Sequence, residues 1–307
     1  MSGDGSLEPH SAVFFGPIRD YWWNFDQLEL CARRIGLDDR VRTVLDVGAG
    51  VGHWGRLVQH LLSPEATLVG IDREPQWVEE ATRNAAAEGL ADRFSYTQAS
   101  AEDLPFEDAS FDLVTCQTLL IHVADPRAVI REMLRVTKPG GLLLVSEPNN
   151  RALTLLDSSV TAGSSVEERL DYVHFYLTCE QGKIALGEGD NSVGDLVPMM
   201  FADEGLEDVQ AYTADKVAFV YPPYEDEEMQ AHRQSLVDDA ERGACGWSRD
   251  EARRYYRAGG GDSASFDATW ERRVAEVHAM RDAAVSGSFR SSAGDVLYLV
   301  SGRRPLS

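Results

Sequence analysis

The segment VLDVGAGVGHWG, residues 44–55, is an apolar run that reaches an aspartate and breaks into glycines where a helical pattern starts. Such a chain passes from a buried strand through a tight turn into a helix, because glycine permits the backbone angles and the close ligand approach that the turn needs. Two glycine patterns overlap here. Gly50-x-Gly52-x-x-Gly55 fits a dinucleotide turn, whereas Asp46-x-Gly48-x-Gly50-x-Gly52 fits a loop around a nucleoside sulfonium. Asp46 favours the second, since a carboxylate at the strand end suits a ligand bearing an ammonium and a sulfonium. Asp72, ending the next apolar run TLVGID, can accept from ribose hydroxyls under either reading and does not choose between them.

Short apolar runs and helical patterns then alternate: TVLDV, a helix over 53–62, TLVGID, a helix over 75–88, FSYTQAS, FDLVTCQ, a helix over 126–136, the turn TKPGG and LLLVSEP. That rhythm predicts right-handed βαβ units on a parallel sheet. Before it, residues 17–36 place Ile18, Tyr21, Trp22, Phe25, Leu28, Ala32 and Ile35 on one helical face. After it, a helix capped by Ser164 or Ser165 is expected to turn Val166, Leu170, Val173 and Leu177 inward, followed by a helix over 193–204 and strands over 207–213 and 216–221. Residues 222–290 read as helical, with a capping box at Ser248 and Glu251 and a stripe of Phe266, Trp270, Val274 and Val277. The stripe must bury against the sheet domain or another subunit, making the segment a cover or a dimerisation arm, with Gly259–Gly261 as a hinge. DVLYLVSG is the last strand.

In this order VLDVGAGVG, GIDREPQWVEEA, ASAEDLPFEDASFDLVTCQTLLIHVADP and REMLRVTKPGGLLLVSEPN resemble the class I S-adenosylmethionine-dependent methyltransferases, particularly the branch with the ubiquinone and menaquinone C-methyltransferases and many natural-product enzymes. The resemblance covers about residues 41–150 and weakens towards 221. It implies a Rossmann-like α/β fold: a central, mostly parallel seven-stranded sheet with an antiparallel last strand and helical insertions. The implied organisation is an N-terminal helical cap (1–40), a cofactor-binding core (41–221, with the insertion 151–192), a second insertion or lid (222–290) and a closing strand (291–307).

The same resemblance implies that Asp46, Gly48, Gly50 and Gly52 surround the methionine moiety of S-adenosylmethionine, that Asp72 takes the ribose hydroxyls and that Arg73 flanks the adenine. The family commonly has an aspartate facing the adenine amine where this chain has Ser100, so Ser100, Glu102 or the Ala101 N–H would supply that contact. Gln117 would lie near the transferred methyl. His53 could touch the cofactor carboxylate or merely solvate a helix start.

Methyl transfer from a sulfonium is an in-line displacement governed by alignment, and a base is needed only where the nucleophile carries a proton. His122 in LLIHVADP follows the fourth strand and is the candidate base; bracing that loop is its competing role. Glu147 and Asn149 are candidates for the acceptor pocket or for turn structure. Tyr21, Trp22 and His174 are weaker acceptor contacts, more in keeping with packing. An NAD-dependent oxidoreductase would leave TKPGG and LPF unexplained, and a non-catalytic cofactor-binding or partner protein would keep the glycine motif while losing an acceptor pocket.

Composition narrows the partners. With 29 basic and 51 acidic residues, a formal charge of -22 repels phosphate backbones and argues against nucleic acid. No apolar run offers a membrane span and no secretory signal is visible, so a cytoplasmic monomer or homodimer acting on a small-molecule acceptor is expected. Cys31, Cys116, Cys179 and Cys245 are scattered, with no metal-ligand spacing and no disulfide framework.

Overall fold

The computed structural model describes residues 17–243, 246–293 and 296–306. Its centre is a seven-stranded sheet made by β1 (Thr43–Val47), β2 (Thr67–Asp72), β3 (Phe94–Gln98), β4 (Phe111–Gln117), β5 (Thr137–Pro148), β6 (Glu207–Thr213) and β9 (Leu297–Arg303), in the order β3-β2-β1-β4-β5-β9-β6. β9 runs antiparallel to both neighbours, and the β1–β2, β1–β4, β2–β3 and β4–β5 pairs are parallel. The expected Rossmann-like sheet with an antiparallel last strand is therefore present.

The central strands read as continuous apolar runs because both faces are covered. Along β1 and β4, Leu45 and Val114 enter one core with Ile130 and Met133, while Val44 and Leu113 enter the other with Leu28 and Trp54. This alternation is the two-residue repeat of a strand. The helices on these faces are α1 (Phe25–Ile35), α2 (His53–Val58), α3 (Pro75–Ala87), α4 (Pro126–Val136) and α6 (Val197–Asp203). Local chemistry sets their starts: Pro75 and Pro126 occupy first-turn positions that need no N–H partner, and the Asp125 side chain accepts from the Ala128 N–H at 3.0 Å.

Several expectations are corrected. The N-terminal helix is not continuous over 17–36: a 3-10 turn (Pro17–Tyr21) is followed by a break, and α1 then buries Leu28, Cys31, Ala32 and Ile35. TKPGG is drawn into β5, with a register shift opposite Phe111 and Leu113. The strand expected at 216–221 shortens to β7 (Ala218–Val220) and leaves the main sheet to pair with β8 (Ser291–Ala293).

The largest correction concerns α5 (Val166–Ala185). Its capping box uses Ser165 with Glu168, but Val166, Leu170 and Leu177 face outward at 66%, 61% and 41% exposure. The buried face carries Phe175, Cys179, Glu180, Gly182 and Lys183 instead. It packs on α8 (Arg249–Ala258) and α9 (Phe266–Val285), where Phe175, Tyr255, Tyr256, Phe266 and Trp270 form one aromatic core. The stripe of α9 thus buries against the other insertion. Each such large apolar side chain contributes about 1.5–3 kcal/mol on full burial.

α7 (Glu227–Glu241) completes the helical body through Met229, which shares a core with Tyr224, Ala284 and Phe289. Glycines fix the α5–α8 crossing: a methyl group on Gly182 would overlap the Tyr255 carbonyl, and one on Gly259 the Thr178 carbonyl. Gly261 is similarly pressed on the Tyr256 ring, so two of the three glycines expected to form a hinge are packing positions. Cys31, Cys116 and Cys179 are buried free thiols, and Cys245 lies outside the described residues.

Candidate functional site

At the carboxyl edge of the parallel strands lies a cavity of about 370 Å³ lined by Gly48, Gly50, Asp72, Arg73, Trp77, Ser100, Ala101, Glu102, Gln117 and His122. Ligands bind there in such sheets because helix starts and strand-end side chains converge on that edge. Gly48, Gly50 and Gly52 all have positive φ, at 69°, 51° and 78°. This shapes a loop whose Gly50 N–H donates to Asp72 Oδ2 at 2.9 Å, while Asp72 Oδ1 accepts from the Glu74 N–H at 3.0 Å. Each oxygen of Asp72 keeps further acceptor capacity for a vicinal diol.

Gln117 carries the strongest sign of a ligand. It is 5% exposed and lines the cavity, yet neither its amide oxygen nor its nitrogen has a hydrogen-bond partner. Burying both groups unmet is costly, so the site is built for a ligand with complementary polar atoms. The ammonium and carboxylate of a methionine moiety have that character. A diol acceptor at Asp72, an open glycine loop and an aromatic side chain at Trp77 fit the rest of an adenosyl group.

Several expected residues lie elsewhere. Asp46 is fully buried beneath the loop, where Oδ2 accepts from the Gly55 N–H at 3.1 Å, and does not line the cavity. Gly52 also sits behind it, against the Tyr96 hydroxyl. His53 turns away to Asp20, with Nε2 3.0 Å from Oδ1, so it ties the N-terminal turn to α2. Glu147 is fully buried and lines no acceptor pocket; Oε1 accepts from the Leu119 and Leu120 N–H groups at 2.8 and 2.7 Å. Asn149 is a turn residue whose side chain accepts from the Ala152 N–H at 3.3 Å. His174 is exposed on α5, and neither Tyr21 nor Trp22 lines this cavity.

The structure adds Arg19, Trp77, Thr118, Leu119 and Gly187 to the cavity wall. Trp77 was legible as an aromatic one turn into the helix after Asp72. Gly187 carries no signal, because it arrives through an insertion. A second, larger cavity of about 830 Å³ opens among the insertions, lined in part by Ile18, Leu153, Tyr172, Leu236, Met280 and Phe289. Its size does not make it the cofactor site: the glycine loop, Asp72 and the unmet amide all belong to the smaller one.

Burial dominates the buried carboxyls. Desolvation pushes Asp46 up to about 8 against the lowering effect of the Gly55 N–H, and Glu147 up to about 8 against its backbone donors. A carboxyl raised in the folded state is protonated there while the unfolded chain is already ionised, so its contribution to stability is complete at low pH and lost as pH rises towards 8. Asp46→Asn, which cannot ionise, should remove this term. In urea unfolding the variant should gain on wild type between about pH 4 and pH 8, by at most about 1.4 kcal/mol per pH unit. An unchanging difference across that window would show that Asp46 is ionised in the fold.

Among the described residues no group of histidine, cysteine or carboxylate side chains could hold a metal ion, and no helix is long and apolar enough to cross a membrane. The sheet order with its antiparallel last strand, together with a glycine loop after β1, an acidic residue ending β2 and a polar cavity over β4, is that of the Rossmann-like methyltransferase class.

The chain belongs to the methyltransferase-domain family, whose model matches residues 38–212. It is an S-adenosylmethionine-dependent methyltransferase, which sets the dinucleotide reading aside. Over 172 residues it is 33% identical to a ubiquinone biosynthesis O-methyltransferase of Paracidovorax citrulli, covering 52% of this chain and 71% of that protein. It is also 35% identical over 138 residues to the ubiquinone/menaquinone biosynthesis C-methyltransferase UbiE of Shewanella frigidimarina, covering 45% of this chain and 52% of that protein. The chain thus spans about half the length of that second relative. The fold is shared with the YcgJ protein from Bacillus subtilis (19% identity, TM-score 0.50, 92% and 99% of the two chains) and with the [4+2]-cyclase SpnF (21%, 0.50, 92% and 82%).

Proposed function

We propose that the protein methylates a small organic acceptor of the secondary-metabolite kind, held in the larger cavity between the two insertions and presented to the cofactor past the N-terminal turn. The observation that carries this reading is the adjacency of the cavities: Ile18 lines the larger one and Arg19, the next residue, lines the cofactor cavity. Arg19 also donates to Thr118 Oγ1 at 3.4 Å, which sets the turn against the β4 loop. Residues 151–192 and 222–290 are then a joint cover over the acceptor. The relatives named for ubiquinone and menaquinone biosynthesis support a compound from such a pathway as a second reading. It ranks below the first because 222–290 lies beyond the matched residues.

When bound, S-adenosylmethionine supplies an electrophilic methyl group on a sulfonium. Around it Gln117, Gly48 and Gly50 hold the methionine moiety and Asp72 the ribose diol. Arg73 and Trp77 flank the adenine, with Ser100, Ala101 and Glu102 at its edge. His122 takes the acceptor's proton where the nucleophile carries one. The acidic surface supports a small-molecule rather than nucleic-acid partner, in a cytoplasmic monomer or homodimer.

Asp72→Ala tests the cofactor part. Losing a charged acceptor costs about 1.5–3 kcal/mol, so calorimetry should find S-adenosylhomocysteine bound roughly tenfold or more weakly while the fold survives. Tight binding of NAD with none of the adenosyl ligand would overturn the assignment. Mass spectrometry of small molecules that copurify with the protein tests the acceptor.

A further inference from the structure

We infer that Glu147 and Lys183, two buried ionisable residues that line neither cavity, are positioning residues for the methyl-transfer site, clamping backbone 119–121 and so aiming Gln117 and His122. This deepens the reading of that cavity as the site of transfer and rests on it.

The contacts fall on three consecutive residues. Glu147 Oε1 accepts from the N–H groups of Leu119 and Leu120, and Lys183 Nζ donates to the Ile121 carbonyl at 2.9 Å. Immediately before them Thr118 has φ of 51°, a left-handed conformation rare for a residue with a side chain, and donates its N–H to the Ser146 carbonyl at 2.9 Å. Such a conformation persists only where the surroundings fix it. The loop is also covered from above: Gly189, with φ of 96°, is pressed so closely on the Ile121 carbonyl that a methyl group there would overlap it.

Lys183 is one of only three lysines in the chain and is 5% exposed. A strongly hydrated ammonium is costly to bury unless its hydrogen bonds are all met. Here two of its three donors are engaged, and a dedicated set holds one of the acceptors in place. Nζ also bonds Asn191 Oδ1, Asn191 Nδ2 donates to Glu180 Oε1 at 2.8 Å, and the Ser192 hydroxyl donates to Glu180 Oε2 at 3.3 Å. All four residues belong to α5 or to the turn after it. The insertion therefore ends in a polar lock that reaches the loop carrying His122. Glu147 answers from β5, the strand beside β4.

The test needs no acceptor. Hydrogen exchange by mass spectrometry reads the 118–122 backbone, and calorimetry with S-adenosylhomocysteine reads the cavity. Lys183→Met keeps the stem and removes the ammonium; Glu147→Leu keeps the bulk and removes the acceptor. Each should speed exchange of peptides spanning 118–122 about tenfold or more, leave β1 and β2 protection unchanged, and weaken S-adenosylhomocysteine about tenfold. Glu147→Gln, which keeps an oxygen for both N–H groups, should stay within about threefold of wild type in both readouts. If one removal variant fails to fold, the other carries the test. A uniform loss of thermal stability with loop exchange and ligand affinity unchanged would overturn the clamp and leave both residues merely structural. Absence of binding by the wild-type protein would instead defeat the cofactor-site reading, with the exchange result still deciding the clamp.

Discussion

His122→Ala should lower methyl transfer by about 10² to 10⁴-fold while S-adenosylhomocysteine binds as before, because proton removal by a positioned base is felt only in the transition state. The histidine lines the cofactor cavity, on the short 3-10 turn Leu120–His122 that follows β4. It is the candidate base nearest Gln117 in sequence, and Glu147, near the end of β5, is committed to the backbone. Steady-state rates of wild type and variant with an acceptor found by copurification give the ratio. A variant as active as wild type would reduce His122 to a brace for its loop.

Nearly as large an effect is expected at Gly182. Its substitution by alanine places a methyl group into the Tyr255 carbonyl, which the α5–α8 crossing must move apart to admit. Overpacking of this kind costs about 1–3 kcal/mol, here concentrated on the insertions rather than on the sheet. Displacing a wall of the acceptor cavity by an ångström is enough to cost about 10²-fold in turnover. Acceptor methylation should therefore fall by about that factor, while β1 and β2 keep their hydrogen-exchange protection. Gly163→Ala is the control, since nothing lies within 4 Å of a methyl group there. Equal activity of the two variants would show that the insertions do not wall the acceptor.

What could be read from the sequence was whatever local chemistry decides. Strand-end acids, alternating glycines and capping residues act within a few positions, so the loop at Gly48–Gly52, Asp72, Gln117 and the cap at Ser165 were all legible. The direction of α5 was not. Its apolar residues at 166, 170, 173 and 177 form a good helical stripe, yet Phe175 and Cys179 face α8 and α9 because two glycines distant in sequence permit a closer contact on that side. Glu147 misled for a related reason: a carboxylate after a strand suits a ligand or a loop equally well, and only the path of residues 118–122 decides. Lys183 gave no sign at all, because in sequence an inward lysine on a helix is indistinguishable from a solvated one.

The sheet order has a consequence for how the chain is made. β6 sits at an edge and pairs only with β9, which also closes the exposed side of β5. Until β9 emerges from the ribosome, after the whole second insertion, β5 presents an unpaired edge and β6 has no strand to join. A nascent chain of this kind must either hold those edges apart or risk pairing them with a neighbour on the same messenger, since unpaired edges template association. The long insertion before β9 lengthens that interval. Late-stage folding intermediates should therefore be more prone to aggregate than the finished protein, and a permuted chain in which β9 is made directly after β5 should escape the delay.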